Sequence, residues 1–230
     1  WNANSKATAC TGTSLTVPSI AISASRSPES LGGKVLTLAY FGLVGFAFMA
    51  VEIGLLQRMT LFLGHPSYSL VVVLFGVLLA TAFGAFFAER IPTARLGAAM
   101  AIGGAVLLAL AGFYALALTG VIHGFIAHGL AARIALALAF ITPAGLVMGS
   151  MIPGAVRVLG ARGSLLVPWG WGVNGATSVL GSVISTVVAI YGGFSAVFWL
   201  GGLCYAAAGV AGLAMARVRV AAPAASAAAA

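Results

Sequence analysis

Charge is what this sequence has least of. Only 6% of its 230 residues are charged, and the acids number three: Glu29, Glu52 and Glu89. Ordinary soluble domains carry about 25% charged residues. Three acids in three separate stretches offer no carboxylate pair for acid–base chemistry. Cysteine is nearly as scarce. Cys10 lies in a polar N-terminal stretch and Cys204 in the last apolar run, which argues against a disulfide framework or a cysteine metal site. The common catalytic signatures are missing too. No Gly-x-Gly-x-x-Gly follows a strand, and there is no P-loop, Cys-x-x-Cys or Gly-x-Ser-x-Gly elbow. His123 and His128 stand five apart, poor spacing for two metal ligands on one helix, and read as interfacial histidines. Nothing marks a catalytic centre, a metal site or a cofactor site.

What the sequence has in excess is apolar surface. Hydrophobic residues make up 62% of the chain, and the mean hydropathy is +1.14. A soluble core of this size cannot hide that much, so the chain reads as an all-α, polytopic membrane protein. The net charge of +8 is then loop charge, which sets topology and attracts anionic lipid. The basic residues are scattered between apolar runs, so nucleic-acid binding is not expected.

Three regions follow from composition. Residues 1–33 are rich in Ser and Thr and read as a polar linker or disordered tail. The first residue is Trp1 rather than an initiator methionine, and the sequence is read as part of a longer polypeptide. Residues 34–218 hold six apolar segments, each near or above the roughly 20 residues that cross a bilayer. They run from about Val35 to Leu63, Tyr68 to Ala88, Leu96 to Thr119, Arg133 to Val158, Trp169 to Tyr191 and Phe194 to Met215. Gly64-His65-Pro66 ends the first, and Gly192-Gly193 turns the fifth into the sixth. Gly120 to Leu130 reads as a less hydrophobic link, and Pro143 and Pro153 should kink the fourth segment. Residues 219–230 are an Ala-rich tail.

Loop charges orient the bundle. Lys34, Arg90, Arg95, Arg157, Arg162, Arg217 and Arg219 flank one side, against Arg58 and Arg133 on the other. Seven against two is a positive-inside bias that expects both termini in the cytoplasm. Small residues point to helix contacts. Gly76, Ala80 and Gly84 recur every four residues on the second segment. Asn174, Ser178, Gly181, Ser182 and Ser185 make a polar stripe on the fifth, read first as helix packing and second as the lining of a polar cavity.

Glu52 is the conspicuous residue. It lies midway along the first segment, where a carboxylate costs at least about 2.5–3.5 kcal/mol. Such a group faces a protein interior or a wet cavity and takes a partner, for structure or for binding and proton transfer. Arg58 is the nearest charge, but six residues turn a helix by roughly 240°, so the two point apart. Gln57 is also badly placed. The expected partners lie on the fifth segment: Asn174, Ser178 or Ser182.

Three stretches resemble the membrane module of bacterial spermidine-synthase-like proteins. They are Gly45 to Leu70, with Glu52, Gln57, Arg58, His65, Pro66 and Ser67; Gly145 to Gly154, with Met148, Gly149 and Pro153; and Val167 to Ser182, with Trp169, Asn174 and Gly175. The likeness covers about residues 35–215. It implies a membrane domain that accompanies a soluble aminopropyltransferase-type domain binding S-adenosylmethionine or its decarboxylated form. No such domain is visible in this sequence, and the family's catalytic residues have no positions here. The resemblance therefore implies an anchor or regulatory scaffold in the bacterial inner membrane, for a soluble domain or partner outside this sequence. An accessory subunit of a larger membrane complex and a small transporter using Glu52 are the alternatives.

Overall fold

The computed structural model describes residues 30–217. The tail readings for residues 1–29 and 218–230, with Cys10 and Glu29, lie outside the described residues. Among the described residues all regular structure is helical. There are six α-helices: α1 (Leu31–Leu63), α2 (Pro66–Ala88), α3 (Leu96–Leu116), α4 (Leu118–Phe125), α5 (Leu130–Gly160) and α6 (Val167–Arg217). A single 3₁₀ turn, Thr93–Arg95, precedes α3. All but α4 are long and apolar enough to cross a membrane.

The last helix counts twice. At 51 residues α6 is far longer than a bilayer needs, and it is broken at Gly193, whose φ of 74° and ψ of 172° no helix contains. The break divides it into α6a, residues 167–192, and α6b, residues 194–217. Neighbours of α1 show that the arms run in opposite directions. On α6a, Asn174 meets Phe41 and Ser178 meets Gly45, so this arm is parallel to α1. On α6b, a Cβ at Gly201 would touch Val51 at 2.8 Å, and one at Gly212 would touch Tyr40 at 2.8 Å, so this arm is antiparallel. The chain therefore crosses six times, as the six apolar segments imply.

Each element begins and ends for a local reason. The Ser30 hydroxyl accepts from the Gly33 N–H at 3.2 Å, so α1 starts four residues before the expected Val35. Gly64 closes α1 with φ at 77°. His65 then caps α2 through its Nδ1, which accepts from the Ser67 N–H at 3.3 Å, and Pro66 opens the helix. The expected link at 120–130 is a correction. The chain departs from α3 only slightly at Ala117 and resumes as α4, which carries His123.

Packing follows the small residues. The Gly76, Ala80 and Gly84 row of α2 lies along α5, with which it runs parallel. A Cβ at Gly145 would meet Ala80 Cβ at 2.5 Å; one at Gly84 would strike the Leu146 carbonyl, and one at Gly149 the Thr81 backbone. The helices thus approach backbone to backbone. α5 runs through Pro143 and Pro153 as one continuous helix, the single segment that the sequence expected. In each proline's turn a tyrosine from a neighbouring helix donates to an α5 carbonyl: Tyr114 Oη to Phe140 O at 2.5 Å, and Tyr40 Oη to Met151 O at 2.8 Å. Both bonds tie α5 to its neighbours, although the carbonyls that lose an N–H partner to Pro143 and Pro153 are those of Ala139 and Gly149. The outer surface is apolar, with Val71, Phe75, Leu78 and Phe83 of α2 pointing outward. On a helix bundle of this composition, that surface faces lipid.

Candidate functional site

The two charge groups of the sequence stand at opposite ends of the bundle. Arg58 and Arg133 lie where α1 ends and α5 begins; Lys34, Arg90, Arg95, Arg157, Arg162 and Arg217 lie at the end that holds both chain ends of the described region. Several of these arginines finish helices. Arg133 Nη1 donates to Phe62 O at 3.0 Å in the last turn of α1, and Arg157 Nη1 to Ala88 O at 2.7 Å in the last turn of α2. A cation on unpaired C-terminal carbonyls meets both the hydrogen-bond deficit and the helix dipole. Arg90 stacks on Phe86, 4.1 Å from the ring centroid.

Arg58 joins three elements. Its Nη1 donates to Thr119 Oγ1 at 2.6 Å and its Nη2 to Ser195 Oγ at 3.3 Å, with the guanidinium 5.3 Å from the Phe194 ring centroid. Ser195 in turn donates to Ala115 O at 2.8 Å. This cluster fixes the α6a–α6b turn against α1 and the α3–α4 junction. Gln57 is half-buried and forms no hydrogen bond with a described residue.

The polar stripe of the fifth segment faces α1. Asn174 Nδ2 donates to Phe41 O at 3.0 Å, and Ser178 Oγ to Gly45 O at 3.2 Å. A Cβ at Gly181 would meet Phe46 O at 2.8 Å. These contacts are the interhelical packing that the stripe suggested. They also correct the expectation for Glu52. Asn174 and Ser178 bind α1 two to three turns before Glu52, and Ser182 Oγ donates to Val179 O of its own helix at 2.8 Å. None of the three meets the carboxylate.

Both bonds between the parallel helices join residues 133 apart. The same offset carried along α1 places Ser185 level with Glu52. Ser185 is wholly buried, and its hydroxyl has no hydrogen-bond partner among the described residues. Glu52 itself is half-buried and forms no hydrogen bond or ion pair with a described residue. It follows Gly45, Phe48 and Met49 at helical spacing, one turn beyond them on the same face of α1. Those three residues line a cavity of about 310 Å³ shared with Thr81, Met148, Gly149, Asn174 and Ser178. A second hollow of about 470 Å³, walled by Pro153, Val156 and Trp171, shares Thr81, Gly149 and Ile152 with it. Together they form a lateral cleft between α6a and the α2–α5 pair. The cleft exists because α6a leans on α1 and scarcely touches α2 or α5. A larger hollow of about 760 Å³ on the other flank of α6a is lined by apolar groups of α1 and α6, Cys204 among them.

Sequence reasoning did not find the helix-ending roles of Arg133 and Arg157, the tyrosine bonds to α5, or Ser185 as the residue level with Glu52. The tyrosines had a signal, since a buried phenol seeks an acceptor. The others depend on which helices become neighbours. Among the described residues no group of three or more His, Cys, Asp or Glu could hold a metal ion. Comparison with family models, curated proteins and solved structures found no match to this chain.

Proposed function

We propose that this chain is an integral membrane module that anchors and scaffolds a soluble domain or partner, the role implied by its resemblance to the membrane part of spermidine-synthase-like proteins. The observation that carries this reading is where the polar side chains of the shared stretches go. Arg58, Asn174 and Ser178 bind the helices to one another, and His65 caps α2. A motif used this way builds a rigid platform. Its basic end would face the cytoplasm of a bacterial inner membrane, where a soluble domain attached to either chain end would sit. The test is to extract the native chain in mild detergent and measure its mass by light scattering. The scaffold reading expects a soluble aminopropyltransferase-type domain, on the same polypeptide or a tightly bound one, to migrate with the membrane helices. A six-helix protein that migrates alone and by itself carries solute into vesicles would overturn it. The lateral cleft lined by Phe48 and Met49, one helical turn before Glu52, favours that second, transporter reading.

A further inference from the structure

The lateral cleft between α6a and the α2–α5 pair opens towards the basic end of the bundle. On α5 its wall is Gly149, Ile152, Pro153 and Val156, spaced along one face of the helix. The next position on that face is Gly160, the last residue of α5, where a Cβ would meet nothing. On α6a the lining runs from Trp171 to Ser178. At the helical rise this stretch is about 10 Å long. The cleft therefore reaches from the start of α6a inward to Phe48 and Met49, midway along α1. Its side-chain donors are already used. Asn174 Nδ2 donates to Phe41 O, Ser178 Oγ to Gly45 O, and Thr81 Oγ1 to Leu78 O at 2.9 Å. What the cleft offers an occupant is mainly hydrocarbon surface.

The mouth is cationic. Arg157 follows Val156; its Nη1 holds Ala88 O, and its remaining N–H groups bind no described residue. Arg162, in the turn between α5 and α6a, forms no hydrogen bond or ion pair with a described residue. Half-exposed Trp171 brings an indole N–H to the same rim. Arg90 adds positive charge at the end of α2, and Glu89 beside it is the only acid at this end among the described residues. An apolar slot that ends in arginines and a tryptophan suits an amphiphile with a hydrocarbon tail and an anionic phosphate head. A second copy of this chain is a poor occupant. It carries a net charge of +8 and would bring like charge to the arginines. We propose that the cleft holds one acyl chain of an anionic phospholipid, with its phosphate between Arg157, Arg162 and the Trp171 indole. The lipid fills the gap that α6a leaves beside α2 and α5, and so seats this arm where helix contacts are few. The site stands whether or not the chain is a scaffold.

The experiment is thermal unfolding of the detergent-solubilised protein with increasing mole fractions of dioleoylphosphatidylglycerol or dioleoylphosphatidylcholine. Native mass spectrometry counts the lipid retained. Binding to the folded state alone raises the midpoint by mass action. The expected result is a saturating rise of roughly 3 °C or more with phosphatidylglycerol, and one such lipid retained per chain. Phosphatidylcholine should need about tenfold more. Arg157→Gln and Arg162→Gln should each raise the half-saturating mole fraction about fivefold, the equivalent of about 1 kcal/mol per basic residue. Arg217→Gln, at the end of α6b, should leave it unchanged. Ile152→Trp fills the place where the two hollows meet and should abolish the rise. Arg162→Gln, in the interhelical turn, keeps the test decisive if Ile152→Trp does not fold. No saturating rise, an equal rise with both lipids, or a rise unmoved in either Arg162→Gln or Ile152→Trp overturns the proposal. An equal loss in Arg217→Gln would make the effect diffuse charge attraction and overturn it. So would the same rise with glycerol phosphate alone, which is a free-phosphate site, or a mass of two chains without lipid, which makes the cleft a dimer face.

Discussion

At the scale of single residues, the polar groups of this bundle act on backbone carbonyls. Asn174, Ser178, Tyr40, Tyr114, Arg133 and Arg157 each donate to a carbonyl of another helix. Inside a membrane such bonds average near 0.6 kcal/mol, with a maximum of about 1.7. Asn174→Ala removes the Nδ2 bond to Phe41 and should destabilise the protein by about 0.5–1.5 kcal/mol. Ser178→Ala should cost less. Its hydroxyl also lies 2.8 Å from Asn174 O of its own helix, an alternative acceptor already in reach. Thermal unfolding of both variants in detergent orders the two effects; an Asn174→Ala midpoint equal to the parent's would show that the bond is not used.

At the scale of elements, glycines decide how near the helices come. A Cβ at Gly84 would collide with the Leu146 carbonyl, which is backbone and cannot swing aside. Gly84→Ala should therefore cost about 1–3 kcal/mol, as overpacking does. Gly160, where a Cβ would meet nothing, is the matched control. Gly193 matters for another reason. With φ at 74° and ψ at 172° it sits in a region that is essentially glycine-only and costs other residues roughly 1–3 kcal/mol, so Gly193→Ala should loosen the α6a–α6b reversal. Limited proteolysis at the 192–195 turn should quicken in that variant and stay unchanged if the reversal does not depend on Gly193.

Much of this level was legible in the sequence. The Gly76–Ala80–Gly84 row announced a close helix contact because small residues at that spacing have few other uses in a membrane helix. Gly64, Pro66 and Gly192-Gly193 announced their breaks through backbone chemistry. The partner of Glu52 was not legible. The stripe Asn174, Ser178, Ser182 and Ser185 shows which face of α6a is polar, but depth depends on the register between two helices over a hundred residues apart in sequence. That register is set by where Asn174 meets Phe41 and the Gly170 backbone approaches the Phe41 ring.

At the scale of the whole molecule, the basic residues gather at one end of a bundle whose two described chain ends lie together. The positive-inside rule then expects that end in the cytoplasm. Reporter fusions at Gly32 and after Arg217 should both give cytoplasmic signals, and a periplasmic signal at either position would reverse the orientation. The account as a whole depends on one architectural claim: that α6 doubles back, so that α6a lies parallel to α1 with an offset of 133 residues. Paired-cysteine cross-linking tests it most directly, in a background where Cys10 and Cys204 are replaced by serine. A Cβ at Gly42 would lie 3.4 Å from Thr177 Cγ2. Gly42→Cys with Thr177→Cys should therefore form a disulfide readily under mild oxidation in membranes. Gly42→Cys with Ile190→Cys, on the same arm but near its far end, should not. Cross-linking of the second pair with none of the first would mean that α6a runs the other way, and the shared register of α1 and α6a would be lost with it.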